Sequence, residues 1–328
     1  MQRIFGIISE KAKQLLSDGT CNRMIGWKRG EFFYDPTPAV FEGTGDLEDF
    51  VYDGFCGSNL SKYLIQQSAK EGKILALLKP CDTYSLNQLV KEHRVRRENV
   101  YVLGVECRGM LDIDKIRAMG VKGIESIEEN GDQLTVHTLY GDKTIGRSEV
   151  LLEKCRCCKS KEFATHDDLA VTGEPMPEAP DDRFDLVRKL EAMTPDERFA
   201  FWRSELSKCI RCNACRNVCP ACSCVKCVFD NDASGVASKA NTDTFEENMF
   251  HIIRAFHVAG RCTDCGECSR VCPQHIPLHL LNRKFIKDIN EFYGEYQAGA
   301  DTESRGPLTD YTTDDVEPSI VMQREGGK

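Results

Sequence analysis

Two cysteine runs in the last third of the chain carry the densest chemistry. Cys209, Cys212, Cys215 and Cys219, followed by Pro220, have the spacing C-x2-C-x2-C-x3-C-P. Cys262, Cys265, Cys268 and Cys272, followed by Pro273, repeat it. Three thiolates spaced by two residues can wrap one face of a 4Fe–4S cube. The fourth, three residues further on and stopped by proline, points to a neighbouring cube. The repeat therefore predicts two 4Fe–4S clusters with crossed fourth ligands. One set is Cys209, Cys212, Cys215 and Cys272; the other is Cys262, Cys265, Cys268 and Cys219. A structural zinc site would use two well-separated C-x2-C pairs, not three cysteines in seven residues.

Ten further cysteines lie outside the runs: Cys21, Cys56, Cys81, Cys107, Cys155, Cys157, Cys158, Cys222, Cys224 and Cys227. Cys81 follows the apolar run Ile74 to Leu78, and Cys107 follows the apolar run Val100 to Val105. Were these adjacent parallel strands, about 4.8 Å apart, both thiols would emerge at one C-terminal edge. Open α/β sheets place their ligands there. A helix starting at Asp82 would aim amide dipoles at an anionic cluster. Cys155 to Cys158 offer two more thiols, among Lys154, Arg156 and Lys159, which is no core segment. Cys21 reads as a small buried hydrophobe. Cys222, Cys224 and Cys227 exceed the needs of two clusters. They could hold a further cluster or a zinc, with a fourth ligand from Cys157 or Cys56.

The elements that must position these thiols fall into two parts. Residues 1 to about 55 read weakly, with a short helix over 10–16 and a strand over 32–34. Ser58 caps a helix carrying Leu60, Leu64 and Ile65. The strand ending at Leu78, a helix to about Val95 and the strand ending at Val105 form a βαβ unit with a right-handed crossover. A short helix (114–119) and a hairpin (134–139 with 144–150) follow. Residues 1–175 thus predict an α/β domain with a small parallel sheet. The proline-rich stretch 171–182 reads as a linker. Residues 183–296 predict an all-α dicluster ferredoxin-type domain: helices over 183–190, 195–208, 242–258 and 278–292 frame the runs, with Pro195 at a helix start capped by Thr194. On the third of these helices Phe245, Met249, Ile252, Ile253 and Phe256 form the apolar stripe, and His251 and His257 read as polar or half-buried. Residues 297–328, with seven acidic and three basic side chains, predict a disordered or partner-bound tail.

A chain of 328 residues with 18 cysteines is too long for a disulfide-stapled mini-protein. No secretory leader or membrane-length apolar stretch is legible, so the cysteines belong as thiolates in a reducing cytoplasm. Oxygen-sensitive clusters suit anaerobic metabolism. The net charge of −9 argues against nucleic acid as partner, because phosphate binding needs a basic face. No catalytic acid–base pair, nucleophile or phosphate loop stands out.

Residues 74–173 resemble the iron–sulfur beta subunits of deazaflavin-coenzyme-dependent hydrogenases and dehydrogenases, formate dehydrogenase among them. Lys79-Pro-Cys-Asp82 is similar to their Pro-Cys-Gln turn, and Gly104-Val-Glu-Cys107 to their Gly-Leu-Phe-Cys segment. Cys155-Arg-Cys-Cys158 with Asp168-Leu-Ala-Val-Thr-Gly173 is similar to their C-x2-C and Asp-Ile-x-Val-Gly segments. The resemblance implies a third 4Fe–4S cluster on Cys81, Cys107, Cys155 and Cys158, beside a flavin such as FAD. The chain has no G-x-G-x-x-G, and Ser58-Asn-Leu-Ser-Lys62 stands where a Gly-rich flavin segment would lie, which leaves flavin binding open. Residues 201–292 resemble helical dicluster modules of formate dehydrogenase beta subunits and of heterodisulfide-reductase-associated electron-transfer subunits. The extension Cys219 to Cys227 is similar to a cysteine-dense segment of that group. Together these imply an electron-transfer subunit of an oxidoreductase complex. Its partners would be a dehydrogenase or hydrogenase and a heterodisulfide-reductase-like acceptor. The alternative is a flavin-containing catalytic subunit that oxidises NAD(P)H or a reduced deazaflavin.

Overall fold

A computed structural model describes residues 2–159, 162–231, 244–304 and 306–308. Helix α1 (Gln2–Ser17) is longer than the sequence suggests. Gly6, which costs a helix interior roughly 1 kcal/mol, lies within it and faces open space. Burial of Ile4, Ile8 and Ala12 on one stripe outweighs that cost. Strand β1 (Arg23–Lys28) follows. Its pattern is interrupted by Arg23 and Gly26, which hides it in the sequence. Arg23 donates from Nη1 and Nη2 to the carbonyls of Glu71 and Gln67 at 2.7 Å each. A side chain at Gly26 would press on Phe50 at 3.1 Å and Leu77 at 3.2 Å.

The strand expected at 32–34 is absent. There the rings of Phe32 and Tyr34 stack at 5.2 Å and Phe33 packs edge-on against Phe55. Strands β2 (Thr37–Phe41) and β3 (Phe50–Val51) both pair antiparallel with β1. Ser58 does not cap a helix; a 3-10 turn over Ser61–Tyr63 leads into the single-turn α2 (Leu64–Gln67). Strand β4 (Ile74–Leu78) is wholly buried. Helix α3 (Pro80–Lys91) opens with Pro80 in its first turn, where a missing N–H costs nothing.

Strand β5 (Val100–Val105) runs parallel to β4 with Leu78 opposite Gly104, so the expected βαβ unit forms. Helix α4 (Ile113–Ala118) precedes a separate antiparallel sheet of β6 (Ile124–Asn130), β7 (Gln133–Thr138) and β8 (Lys143–Gly146). The hairpin is thus two strands of three: β6 is rich in Glu and half-exposed, and its exposed charges mask the strand signal. A turn of helix, α5 (Glu153–Arg156), and β9 (Asp168–Ala170), parallel to β5, complete this part. The main sheet is mixed, not parallel throughout: its order is β2-β1-β4-β5-β9, with β3 also on β1.

The described residues from 183 onward hold helices and no strands. They are α6 (Asp185–Glu191), α7 (Pro195–Leu206), α8 (Ala214–Val218), α9 (Thr244–His257), α10 (Glu267–Arg270) and α11 (His279–Tyr293). The predicted cap of α7 forms in full. The Glu197 N–H donates to Thr194 Oγ1, and Glu197 in turn accepts from the Thr194 N–H at 2.9 Å.

Helix α9 turns a different face inward from the one its apolar residues suggest. Phe250, His251, Arg254, Ala255 and Val258 are buried or follow on the buried side, while Ile252 and Phe256 are exposed. The side chain of Phe245 lies outside the described residues. The chain also remains packed beyond residue 297. Ala298 is buried, Tyr296 donates to the Gly260 carbonyl at 3.1 Å, and Lys91 donates to Ser304 at 3.2 Å. Residues 309–328 of the expected tail lie outside the described residues. None of the described helices is long and apolar enough to cross a membrane.

Candidate metal centres

The parallel register sets the first site. Cys81 and Cys107 each lie three residues beyond the paired Leu78 and Gly104. Both therefore reach the C-terminal edge of adjacent strands, Cys81 in the first turn of α3. The turn of α5 brings Cys155 to the same place, where the Met110 N–H donates to its sulfur at 3.3 Å, and Cys158 follows. All four thiols line one cavity of about 340 Å³, together with Lys79, Arg147 and Lys154. Burial pushes the Cys107 thiol up to about 11 and Cys81 well above its ordinary value. Burial favours the neutral thiol of these half-buried cysteines, and a metal would deprotonate them outright. The donor set fits a 4Fe–4S cluster.

The two runs share one backbone design. Arg211 and Asn213 in the first and Asp264 and Gly266 in the second all take left-handed φ, between 53° and 67°. Alternation of right- and left-handed residues turns successive N–H groups inward and makes an anion-binding nest, as at many iron–sulfur sites. Cys209, Cys212 and Cys215 line one cavity with Cys272 of the second run. Cys219 crosses the other way: its sulfur is an electrostatic neighbour of Cys262, Cys265 and Cys268. Cys272 and Cys219 thus each lie beside thiols of the other run.

The cavity of the first cysteine run is also lined by His251, which is 1% exposed and, among the described residues, has no hydrogen-bond partner on either ring nitrogen. Burial, aided by Arg254 and Arg211, lowers it to about 3, so the ring is neutral. A buried polar group without a partner costs roughly 1–3 kcal/mol. The sulfides of a cluster are acceptors for such a donor, and this site fits the group too. His251 is thus not the half-buried surface position its spacing suggested; His257 is exposed.

Cys222, Cys224 and Cys227 face a different space. They line a cleft of about 1190 Å³ with Lys62, Arg216, Arg254 and Arg261. Lys62 bridges the two halves by donating to the carbonyls of Arg216, Cys219 and Cys222 at 3.2, 2.9 and 2.6 Å. A hydrogen bond from Cys222, with Arg254 and Lys62 outweighing burial, holds Cys219 below the ordinary thiol range. Among the described residues, no three His, Cys, Asp or Glu side chains converge on a single ion.

Neither suggested fourth ligand joins the trio. Cys56 is buried in the main core and its thiol reaches the Val51 carbonyl. Cys157 accepts from Arg283 Nη1 at 2.9 Å. Cys21 packs in the core, as expected, with burial raising it to about 11.

Charged residues that sequence patterns do not single out hold the sites together. Glu267, completely buried beside Cys268, accepts from Lys154, from Arg270 at 2.7 Å and from the Asn59 N–H at 3.1 Å. Lys154 adjoins Cys155, so this ion pair ties the strand-edge site to the second run. Cys265 of that run lines the strand-edge cavity directly. The second run thus adjoins both the strand-edge set and the first run.

Crossed placement has a measurable consequence. Replacing Cys219 with Ser should damage the centre on Cys262, Cys265 and Cys268, and replacing Cys272 should damage the one on Cys209, Cys212 and Cys215. Electron paramagnetic resonance of the reduced variants reads this. Loss of the centre in the mutated cysteine's own run would contradict the crossing.

Residues 205–276 match the family described as 4Fe-4S dicluster domain. The chain is similar to the F420-dependent formate dehydrogenase subunit beta of Methanocaldococcus jannaschii, at 24% identity over 354 aligned residues, 90% of this chain and 92% of that one. It is also 24% identical to the F420-dependent formate dehydrogenase 1 subunit beta of Methanococcus maripaludis, over 91% of this chain and 92% of that one. Among solved structures, one from the F420-reducing [NiFe] hydrogenase complex of Methanosarcina barkeri overlays with a TM-score of 0.37 at 14% identity, covering 47% of this chain and 58% of that one. That last likeness is too slight to bear on the fold.

Proposed function

We propose that the chain is an iron–sulfur electron-transfer subunit of a multi-subunit oxidoreductase of the formate dehydrogenase type. The observation that carries this reading is that one chain gathers Cys81, Cys107, Cys155 and Cys158 around one cavity and Cys209, Cys212, Cys215 and Cys272 around another, with the second run beside both. Near-full-length similarity to formate dehydrogenase beta subunits supports it. Cys81, Cys107, Cys155 and Cys158 would hold one cluster, and the crossed sets of the two runs would hold the other two. When bound, each cluster supplies a one-electron carrier.

The chain's own residues bring the centres close and offset charge. Lys79, Arg147 and Lys154 surround the first set, and the Lys154–Glu267 pair locks it to the second. A carrier row needs a donor at one end and an acceptor at the other. We assign these to a dehydrogenase or hydrogenase subunit and to a heterodisulfide-reductase-like or similar acceptor.

Purification from the native host, without oxygen, tests the reading. The chain is expected to co-purify with a larger catalytic subunit and to show no turnover alone. A lone monomer that reduces a soluble acceptor with formate, hydrogen or NAD(P)H would overturn it. One observation favours a second reading, a flavin-bearing catalytic subunit: the cleft beside Lys62, Arg216 and Arg261 is large and cationic, and the relatives are F420-dependent by name. Flavin released by acid from the purified protein would favour that reading.

A further inference from the structure

Arg254 is 2% exposed, and among the described residues none of its three guanidinium nitrogens has a hydrogen-bond partner. A buried cation without a partner is a large expense in a folded chain, and something at this place must compensate it. Its surroundings identify what. The guanidinium is an electrostatic neighbour of Cys268 in the second run, of Cys215 in the first, and of Cys219, which crosses between them. Helix α9 presents Arg254 one turn after His251, which lines the first cavity. The residue stands where the two ferredoxin-type thiol sets come together.

We propose that Arg254 is a positioning residue shared by the two ferredoxin-type clusters, donating its N–H groups to both and holding both reduction potentials up. The inference rests on the reading that the two runs hold clusters. Reduction adds one negative charge to a cluster with four thiolate ligands. A fixed buried cation stabilises that reduced form, and hydrogen bonds to cluster sulfur act in the same direction. Because one guanidinium serves both sites, its removal should move both potentials together.

The test uses the full chain, or its complex, purified without oxygen. Iron content of the wild-type protein first checks, separately, that the runs are loaded. Potentiometric titration followed by electron paramagnetic resonance then compares Arg254→Met with wild type. The two neighbouring centres are recognised by the mutual splitting of their signals when both are reduced.

In Arg254→Met the reduced-to-oxidised ratio at a fixed potential should fall at least tenfold for both centres, a downward shift of about 59 mV for a one-electron couple. Arg254→Lys, which keeps the charge, should recover most of the shift. Unchanged midpoints with full iron, or a shift confined to one centre, overturn the proposal. If Arg254→Met fails to hold iron, Arg254→Gln and Arg254→Lys decide. Midpoints lower in Gln than in Lys support the proposal; equal midpoints, or iron loss in Lys as well, overturn it.

Discussion

Replacing Cys107 with Ala should remove about four of roughly twelve iron atoms per chain, one cubane of three, and leave the two interacting ferredoxin signals in place. Cys155→Ala should do the same. The double variant should lose no more than either single one, because residues acting on one centre are not additive. The argument is geometric. Cys107 leaves β5 three residues beyond Gly104, and Cys81 leaves β4 three residues beyond Leu78, so both thiols share an edge. Cys155 and Cys158 come to the same cavity from a turn some fifty residues further along the chain. Iron analysis with electron paramagnetic resonance checks the outcome. Full iron in both single variants would end the assignment of a third cluster, and loss of two cubanes would mean that the strand-edge site and the second run depend on each other to fold.

How much of this was legible in the sequence depends on what each signal rests on. The two runs were legible because ligand spacing is a local property, and the structure repeats the same left-handed positions in each: Arg211 and Asn213, then Asp264 and Gly266. The strands β4 and β5 were legible because they are buried on both faces and read as continuous apolar runs. Strand β1 was not, since its Arg23 is neutralised by carbonyls 44 and 48 residues away. Strand β6 was not, since its edge position allows Glu125, Glu128 and Glu129. The polar part of the inward face of α9 could not be read from hydrophobicity, although Phe250 and Ala255 share that face. Arg254 and His251 occupy it because it faces thiols, not a lipid-like core, and periodicity arguments assume that buried means apolar.

The same limit explains Glu267. In sequence it is an ordinary acid between two cysteines; in the structure it is completely buried and joins the two halves of the molecule through Lys154. Burial works against its charge, yet Arg270 and Lys154 hold its carboxyl well below the usual carboxylate range. Removing one partner of such a pair leaves the other charge buried and uncompensated, at a cost of about 3–5 kcal/mol. Glu267→Ala should therefore lower the chain's resistance to denaturant by about that amount, measured without oxygen with the clusters loaded. Lys154→Met should be destabilising too, because it leaves the Glu267 carboxylate with Arg270 as its one remaining cation. Combining the two, as Lys154→Met with Glu267→Met, should cost less than the sum of the singles, because neither charge is then stranded. Strictly additive effects would mean that Lys154 and Glu267 stabilise the fold separately. The joint between the strand-edge site and the second run would then rest on other contacts, such as the Glu92–Arg261 pair at 2.5 Å and the Ser85–Thr263 hydrogen bond at 2.9 Å.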